Sequence, residues 1–174
     1  VARAMRNCDL SRLTLVRPHT ADLVTARRVA VHAEDLLASP RSVATLSEAL
    51  GDAVWTVGTT SRAIPGRAVL SPREVAREAV ARARSGPVAI VFGGETSGLS
   101  NEDLARCHAL STIPSGRVQP SFNLAQAVLL YAYEVHEAAR GEGPVADAPE
   151  RATDAATICW EPAPSGRSSD LSRR

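Results

Sequence analysis

At 174 residues and 18.3 kDa the chain has a size that one hydrophobic core serves, and its 44% hydrophobic and 22% charged residues are ordinary for a soluble globular protein. No apolar run approaches the roughly 20 residues that cross a bilayer. The formal charge of +1 excludes a global attraction to nucleic acid, so RNA binding would rest on a local patch.

In chain order, VARAMRNCDL has the pattern of an amphipathic helix and none of the basic, apolar and small-residue pattern of a signal peptide. Arg3 and Arg6 share one face of it at i, i+3 spacing beside Asn7, a pair that is usually solvated. Strands are predicted at LTLV (13–16), VWTVG (54–58), VAIVF (88–92) and LSTI (110–113), each a short apolar or β-branched run beside turn residues. VAIVF is apolar throughout, the pattern of a central parallel strand covered on both faces. Ser71-Pro72 supplies an N-cap and a first-turn proline to REVAREAVARAR, and Ser100-Asn101-Glu102-Asp103 forms a capping-box pattern. The segment from Phe122 to Arg140 is a long helix whose LLYAY middle is apolar on more than one face, as suits packing both inside and on a partner. Strands and helices therefore alternate, which predicts an α/β fold with a mainly parallel sheet over residues 1–140. Residues 141–174, rich in Gly, Pro and Ala, have no periodicity and are expected to be a low-complexity, flexible tail.

Cys8, Cys107 and Cys159 are odd in number, widely spaced and without CxxC pairing, which argues for reduced cytoplasmic thiols rather than disulfides or zinc. All 20 basic residues are Arg, which coding bias explains more simply than selection for bidentate phosphate recognition. His108 and His136 have no Asp or Ser at a telling distance and are assigned to the surface or to packing; no triad or metal cluster is legible.

Three segments place glycine or polar residues after a strand, where open α/β sheets bind ligands. VGTTSR (57–62) offers hydroxyls for a ribose or amino-acid group, and alone is better explained by an ordinary polar turn. FGGETSGLSNEDL (92–104) uses Gly93, Gly94 and Gly98 for close backbone approach while presenting Glu95; a glycine-rich turn with a solvated Glu accounts for it equally. It is neither a Walker loop nor GxGxxG. IPSGRVQPSFNLAQAV (113–128) brings Arg117 and Ser121 to a helix start at Asn123, suited to an anionic or polar ligand; the alternative is that Ser121 merely caps the helix, which can coexist with binding.

Taken in order, VARAMRNCDLSRLTLVRP, VGTTSR, VAIVFGGETSGLSNEDL and IPSGRVQPSFNLAQAVLLYAYEV resemble the motifs of the SpoU (TrmH) family of SPOUT methyltransferases, over residues 1 to about 138. They are most similar to the branch that methylates the ribose at position 32 of the tRNA anticodon loop. The resemblance implies a C-terminal trefoil knot, a homodimer, S-adenosyl-L-methionine as cofactor and 2′-O-methylation of RNA, tRNA before rRNA. It implies a cofactor site of Thr59, Thr60, Ser61, Gly93, Gly98, Ile113, Pro120, Ser121 and Phe122. Arg3, Glu95, Ser121 and Asn123 fall on its catalytic positions, with Arg6, Arg62 and Arg117 toward RNA. Arg3 stays protonated at ordinary pH, so its expected role is to stabilise charge on the 2′-oxygen rather than to act as a base.

Two departures stand out. The family motif opens with Asn-x-Gly upstream of this arginine, and neither that nor the first strand lies in the sequence; Phe122 stands where Leu is usual. Two other readings follow: a non-catalytic RNA-binding relative of such enzymes, which the intact 59–61, 93–98 and 113–123 loops oppose, and a nucleotide-binding α/β regulator.

Overall fold

The computed structural model describes residues 1–18, 26, 30, 33–38, 40–62, 64–116, 118–119, 121–141 and 156–160. In chain order these form α1 (Ala2–Arg6), β1 (Arg12–Val16), α2 (Glu34–Ala38), β2 (Arg41–Val43), α3 (Leu46–Leu50), β3 (Trp55–Thr59), β4 (Val69–Leu70), α4 (Pro72–Arg82), β5 (Val88–Phe92), α5 (Asn101–Ala105), β6 (Ala109–Ser111), α6 (Leu124–Arg140) and β7 (Ala156–Trp160). The seven strands make one sheet in the order β2-β1-β7-β5-β3-β6-β4, and every pairing is parallel.

The apolar run of β5 is buried at all five positions, and its alternation splits the core. Val88, Ile90 and Phe92 join Leu13, Leu15, Trp55, Val57 and Ile158 beneath α1, α4 and α6. Ala89 and Val91 face the other way, with Val16, Leu104, Leu110 and Cys159 beneath α3 and α5. Helices thus cover both faces, as a parallel sheet requires.

Local chemistry sets the helix starts. Ser71 caps α4 with a full capping box to Glu74, with Pro72 as the first helical residue, and Ser100 does the same for α5 with Asp103. The cap of α6 is not the one that the sequence left open. Asn123, not Ser121, holds that position, its Oδ1 accepting from Ala125 N at 2.9 Å.

The predicted strands appear, with β6 ending at Ser111 rather than at residue 113. Three more were not anticipated. β2 and β4 are edge strands of three and two residues, too short to carry a period. β7 corrects the expectation of a flexible tail over 156–160: it lies inside the sheet, with Ile158 paired to Leu13 on one side and Ile90 on the other. Its Ile158 is 1% exposed and Cys159 fully buried. Two flanking strands supply hydrogen bonds on both edges, which a five-residue segment needs more than intrinsic propensity.

His108 is exposed and His136 half-buried, in line with their assignment to the surface or to packing. His108 Nδ1 accepts from Thr56 N at 3.1 Å, and His136 Nδ1 lies buried 3.5 Å from Asp9. All three cysteines are free and buried.

Two predictions follow from this core. Ile158→Ala is expected to cost about 2–5 kcal/mol, the range for truncating a fully buried aliphatic side chain, read as a lowered urea midpoint. Burial pushes the Cys107 thiol up to about 11 and the Cys159 thiol up to about 12, from an ordinary value of 9.0. Because the folded values lie above the unfolded ones, the associated stability is complete below pH 9.0 and is lost as pH rises toward 11. Urea midpoints measured across that range are expected to fall, and to fall less in a Cys107→Ala/Cys159→Ala variant.

Candidate active site

Three loops leave the carboxyl ends of β3, β5 and β6 on the same edge of the sheet. Backbone and side-chain bonds draw them together. Thr60 N donates to Ser111 O at 2.9 Å, joining the β3 loop to β6, and Thr59 Oγ1 donates to Val91 O at 2.9 Å, joining it to β5. Arg62 Nη2 donates to Leu99 O at 2.5 Å, across to the far end of the glycine loop.

That glycine loop turns back on itself. Gly94 and Gly98 pair as an antiparallel bridge, with Gly98 N donating to Gly94 O at 2.9 Å. Gly98 sits at φ +64, a conformation other residues rarely adopt, and nothing crowds it. Gly93 is constrained by space instead. A Cβ there would meet the carbonyl carbon of Gly98 at 2.0 Å and the amide of Leu99 at 2.3 Å, so the two limbs of the loop touch through bare backbone.

The start of α6 closes the arrangement. Asn123 spends its carbonyl oxygen on the helix cap, which turns its amide outward, and Nδ2 donates to Glu95 Oε1 at 3.0 Å. The cap therefore orients the group that holds the glycine loop's carboxylate.

The result is a cavity of about 420 Å³. Its volume and its mixture of apolar walls with a few polar groups match sites for small ligands. Of the expected residues, Thr59, Thr60, Ser61, Arg62, Gly93, Glu95, Gly98, Ile113, Ser121 and Phe122 line it. Asn123 is one bond behind, through Glu95. Arg3 and Arg6 do not line it; Arg3 is exposed on α1, and Arg6 forms an ion pair with Asp35 of α2. Arg117 and Pro120 lie outside the described residues.

Sequence reasoning missed the wall contributed by α6: Leu124, Ala127 and Tyr131. Their i, i+3, i+7 spacing marks one helix face, a signal hidden because the middle of the helix is apolar on more than one face. Tyr131 is held firmly. Its ring meets Phe92 edge-on with centroids 5.4 Å apart, and its hydroxyl lies 2.6 Å from Ser111 Oγ, which itself donates to Leu70 O at 2.8 Å. Burial pushes the Tyr131 phenol up to about 12, so it remains a neutral hydrogen-bonding group. Among the described residues no group of three or more His, Cys, Asp or Glu has the arrangement of a metal site.

Gly93→Ala is expected to force Gly98 and Leu99 apart and deform the cavity. The checks are hydrogen exchange, with faster exchange at the Gly98 amide, and calorimetry, with loss of ligand binding to the cavity.

Comparisons with known proteins agree with this architecture. The model of the SpoU rRNA methylase family matches residues 1–133. A tRNA (cytidine/uridine-2′-O-)-methyltransferase TrmJ of Escherichia coli O6:K15:H31 is 42% identical over 140 residues, covering 79% of this chain and 56% of that protein. The chain therefore spans little more than half the length of the curated relatives it matches. A probable methylase family protein from Haemophilus influenzae Rd KW20 superposes with a TM-score of 0.72 at 36% identity, covering 78% of this chain and 57% of that one. The crystal structure of TrmJ from Z. mobilis ZM4 gives a TM-score of 0.72 at 33% identity, covering 84% and 65%. With a family model matched across β1 to β6, the glycine loop and the first half of α6, the chain belongs to the SpoU rRNA methylase family.

Proposed function

We propose that the chain carries the catalytic unit, residues 1–140, of an S-adenosyl-L-methionine-dependent RNA 2′-O-methyltransferase acting on tRNA, of the anticodon-loop position 32 type. The observation that carries this reading is the convergence of the β3, β5 and β6 loops on one cavity in a member of a methylase family. The relatives at 42% identity, named as tRNA methyltransferases, favour tRNA over rRNA.

The cavity fits the cofactor chemically. Bare backbone at Gly98, with open space beside it, admits a flat or extended group closely, Ile113, Phe122 and Leu124 offer apolar surface, and Thr60, Ser61 and Glu95 offer polar partners. S-adenosyl-L-methionine held there supplies an activated methyl group to a ribose 2′-hydroxyl. Thr59, Thr60, Ser61, Gly93, Gly98, Ile113, Pro120, Ser121 and Phe122 form its binding site in this reading.

Catalysis then falls to Glu95, Ser121 and Asn123 at the cavity and to Arg3, which stands on α1 outside its lining. Asn123 fixes the Glu95 carboxylate, which orients the substrate ribose together with Ser121. Arg3 stabilises the negative charge that develops on the 2′-oxygen, because a guanidinium keeps its proton and donates. Arg6, Arg62 and Arg117 contact RNA; Arg6 and Arg62 each have five N–H donors, of which the ion pair with Asp35 and the bond to Leu99 O use only part.

The same reading includes a C-terminal trefoil knot, a cytoplasmic setting and a homodimer. Support for the dimer comes from α6, where Leu129, Leu130 and Tyr133 are 41%, 37% and 54% exposed on a helix whose Val128, Tyr131, Ala132 and Val135 are packed inward. Among the described residues no helix is long and apolar enough to cross a membrane.

The test is to titrate the chain calorimetrically with S-adenosylhomocysteine and to assay methyl transfer to tRNA. Arg3→Ala is expected to lower kcat by about 10²-fold while leaving S-adenosylhomocysteine affinity unchanged. Methylation at the parent rate removes Arg3 from the mechanism, and a folded chain that binds no S-adenosylhomocysteine removes the enzyme reading.

A further inference from the structure

α6 serves the cavity with only half its length. The stripe that begins with Leu124, Ala127 and Tyr131 continues at Glu134 and Ala138, and there it forms one wall of a second concavity, a groove of about 560 Å³ between α6 and α4. Ala127 and Ala138 are eleven residues apart, or roughly 16 Å along the helix. The groove therefore lies on a continuous helix face with the cavity, roughly 16 Å farther along it.

The opposite wall is cationic. Arg73, Arg77 and Arg84 line it at spacings of four and seven residues, one face of α4 and the turn that follows. Arg82 lies off this face and is committed elsewhere, paired with Glu78 at 2.9 Å and stacked over Trp55 at 5.2 Å. The three groove arginines are not so committed. Arg73 approaches Glu134 at only 3.9 Å with its side chain 74% exposed, Arg77 has Glu74 of its own helix as a weak charge partner, and Arg84 makes no ion pair among the described residues. Glu134 and Glu137 sit on the α6 wall, so the groove holds three guanidinium groups against two carboxylates, with the cations together on one rim.

We infer that this groove is a docking track for the phosphate backbone of the RNA substrate, held by Arg73, Arg77 and Arg84. The inference rests on the RNA reading proposed above and extends it to a surface outside the cavity. A chain of formal charge +1 has no global field to hold a polyanion, so a row of guanidinium groups, each matched to phosphate in a bidentate way, has to do it locally. The carboxylates on the far wall keep the anion on the α4 rim and oppose an acidic ligand that would fill the whole groove.

The experiment compares the full chain with an Arg73→Ala/Arg77→Ala/Arg84→Ala variant. Affinity for unfractionated tRNA is measured across a salt series, with S-adenosylhomocysteine titration and methylation kinetics alongside. Loss of three phosphate contacts is expected to weaken tRNA binding about tenfold and to make the slope of log Kd against log salt shallower by about 2. KM rises, while kcat and S-adenosylhomocysteine affinity hold. A triple Arg→Lys variant, which keeps the charges, is expected to recover most of the slope. An unchanged slope and KM, with tRNA bound by the parent chain, overturns the groove alone. A parent that binds S-adenosylhomocysteine but no tRNA overturns the groove and the RNA reading together. Displacement of tRNA by polyglutamate as readily as by RNA of equal charge overturns it in favour of an acidic protein partner.

Discussion

β5 is enclosed on all sides, by β7 and β3 along its edges and by helices on its two faces, and its last residue, Phe92, leads directly into Gly93. A strand so enclosed cannot slip by one residue without turning Ile90 and Phe92 toward α3 and α5 and Val91 toward α6. The point at which the glycine loop begins is thereby fixed by the core. The loop then closes so tightly that Gly93 touches the Gly98–Leu99 backbone, which turns a flexible composition into a defined shape. A rigid support at the strand and bare backbone at the loop together give a surface that a ligand can approach closely without the entropy cost of ordering it.

Bonds that link separate elements do the rest. The β3 loop reaches the glycine loop through Arg62, the glycine loop reaches α6 through Glu95 and Asn123, and α6 reaches β6 and β4 through Tyr131, Ser111 and Leu70. Each is long-range in sequence. Several use a group for two purposes, as when Asn123 caps a helix with one end of its amide and holds Glu95 with the other. Such groups couple stability to the site, since a change that disturbs the helix start also releases the carboxylate.

α6 extends this coupling beyond the cavity. One stripe of the helix lines the site at its start and the arginine groove farther on, while Leu129, Leu130 and Tyr133 stay exposed. The apolar character that obscured its periodicity in the sequence is what the several contacts require. The charge distribution follows the same economy: Arg82 stabilises the packing of α4 on Trp55, while Arg73, Arg77 and Arg84 line the groove.

By itself the sequence determined the alternation of strands and helices, the central place of VAIVF, the caps at Ser71 and Ser100, and the three loops at the carboxyl ends of strands. These are local or pairwise-periodic signals, which a chain cannot avoid displaying. The family motifs pointed to Thr59–Ser61, Gly93, Glu95, Ile113 and Phe122, all of which line the cavity. Tertiary structure alone decided the rest. β2, β4 and β7 exist because neighbouring strands offer them hydrogen bonds, and five residues such as ATICW carry no period long enough to announce it. Tyr131 became a wall of the site through packing against Phe92 and Ser111, and Asn123 displaced Ser121 as the cap. Arg6 became half of an ion pair through the approach of Asp35, 29 residues away. The dividing line is sequence separation: what the nearest few residues impose is written locally, and what distant residues impose exists only once the chain has brought them together.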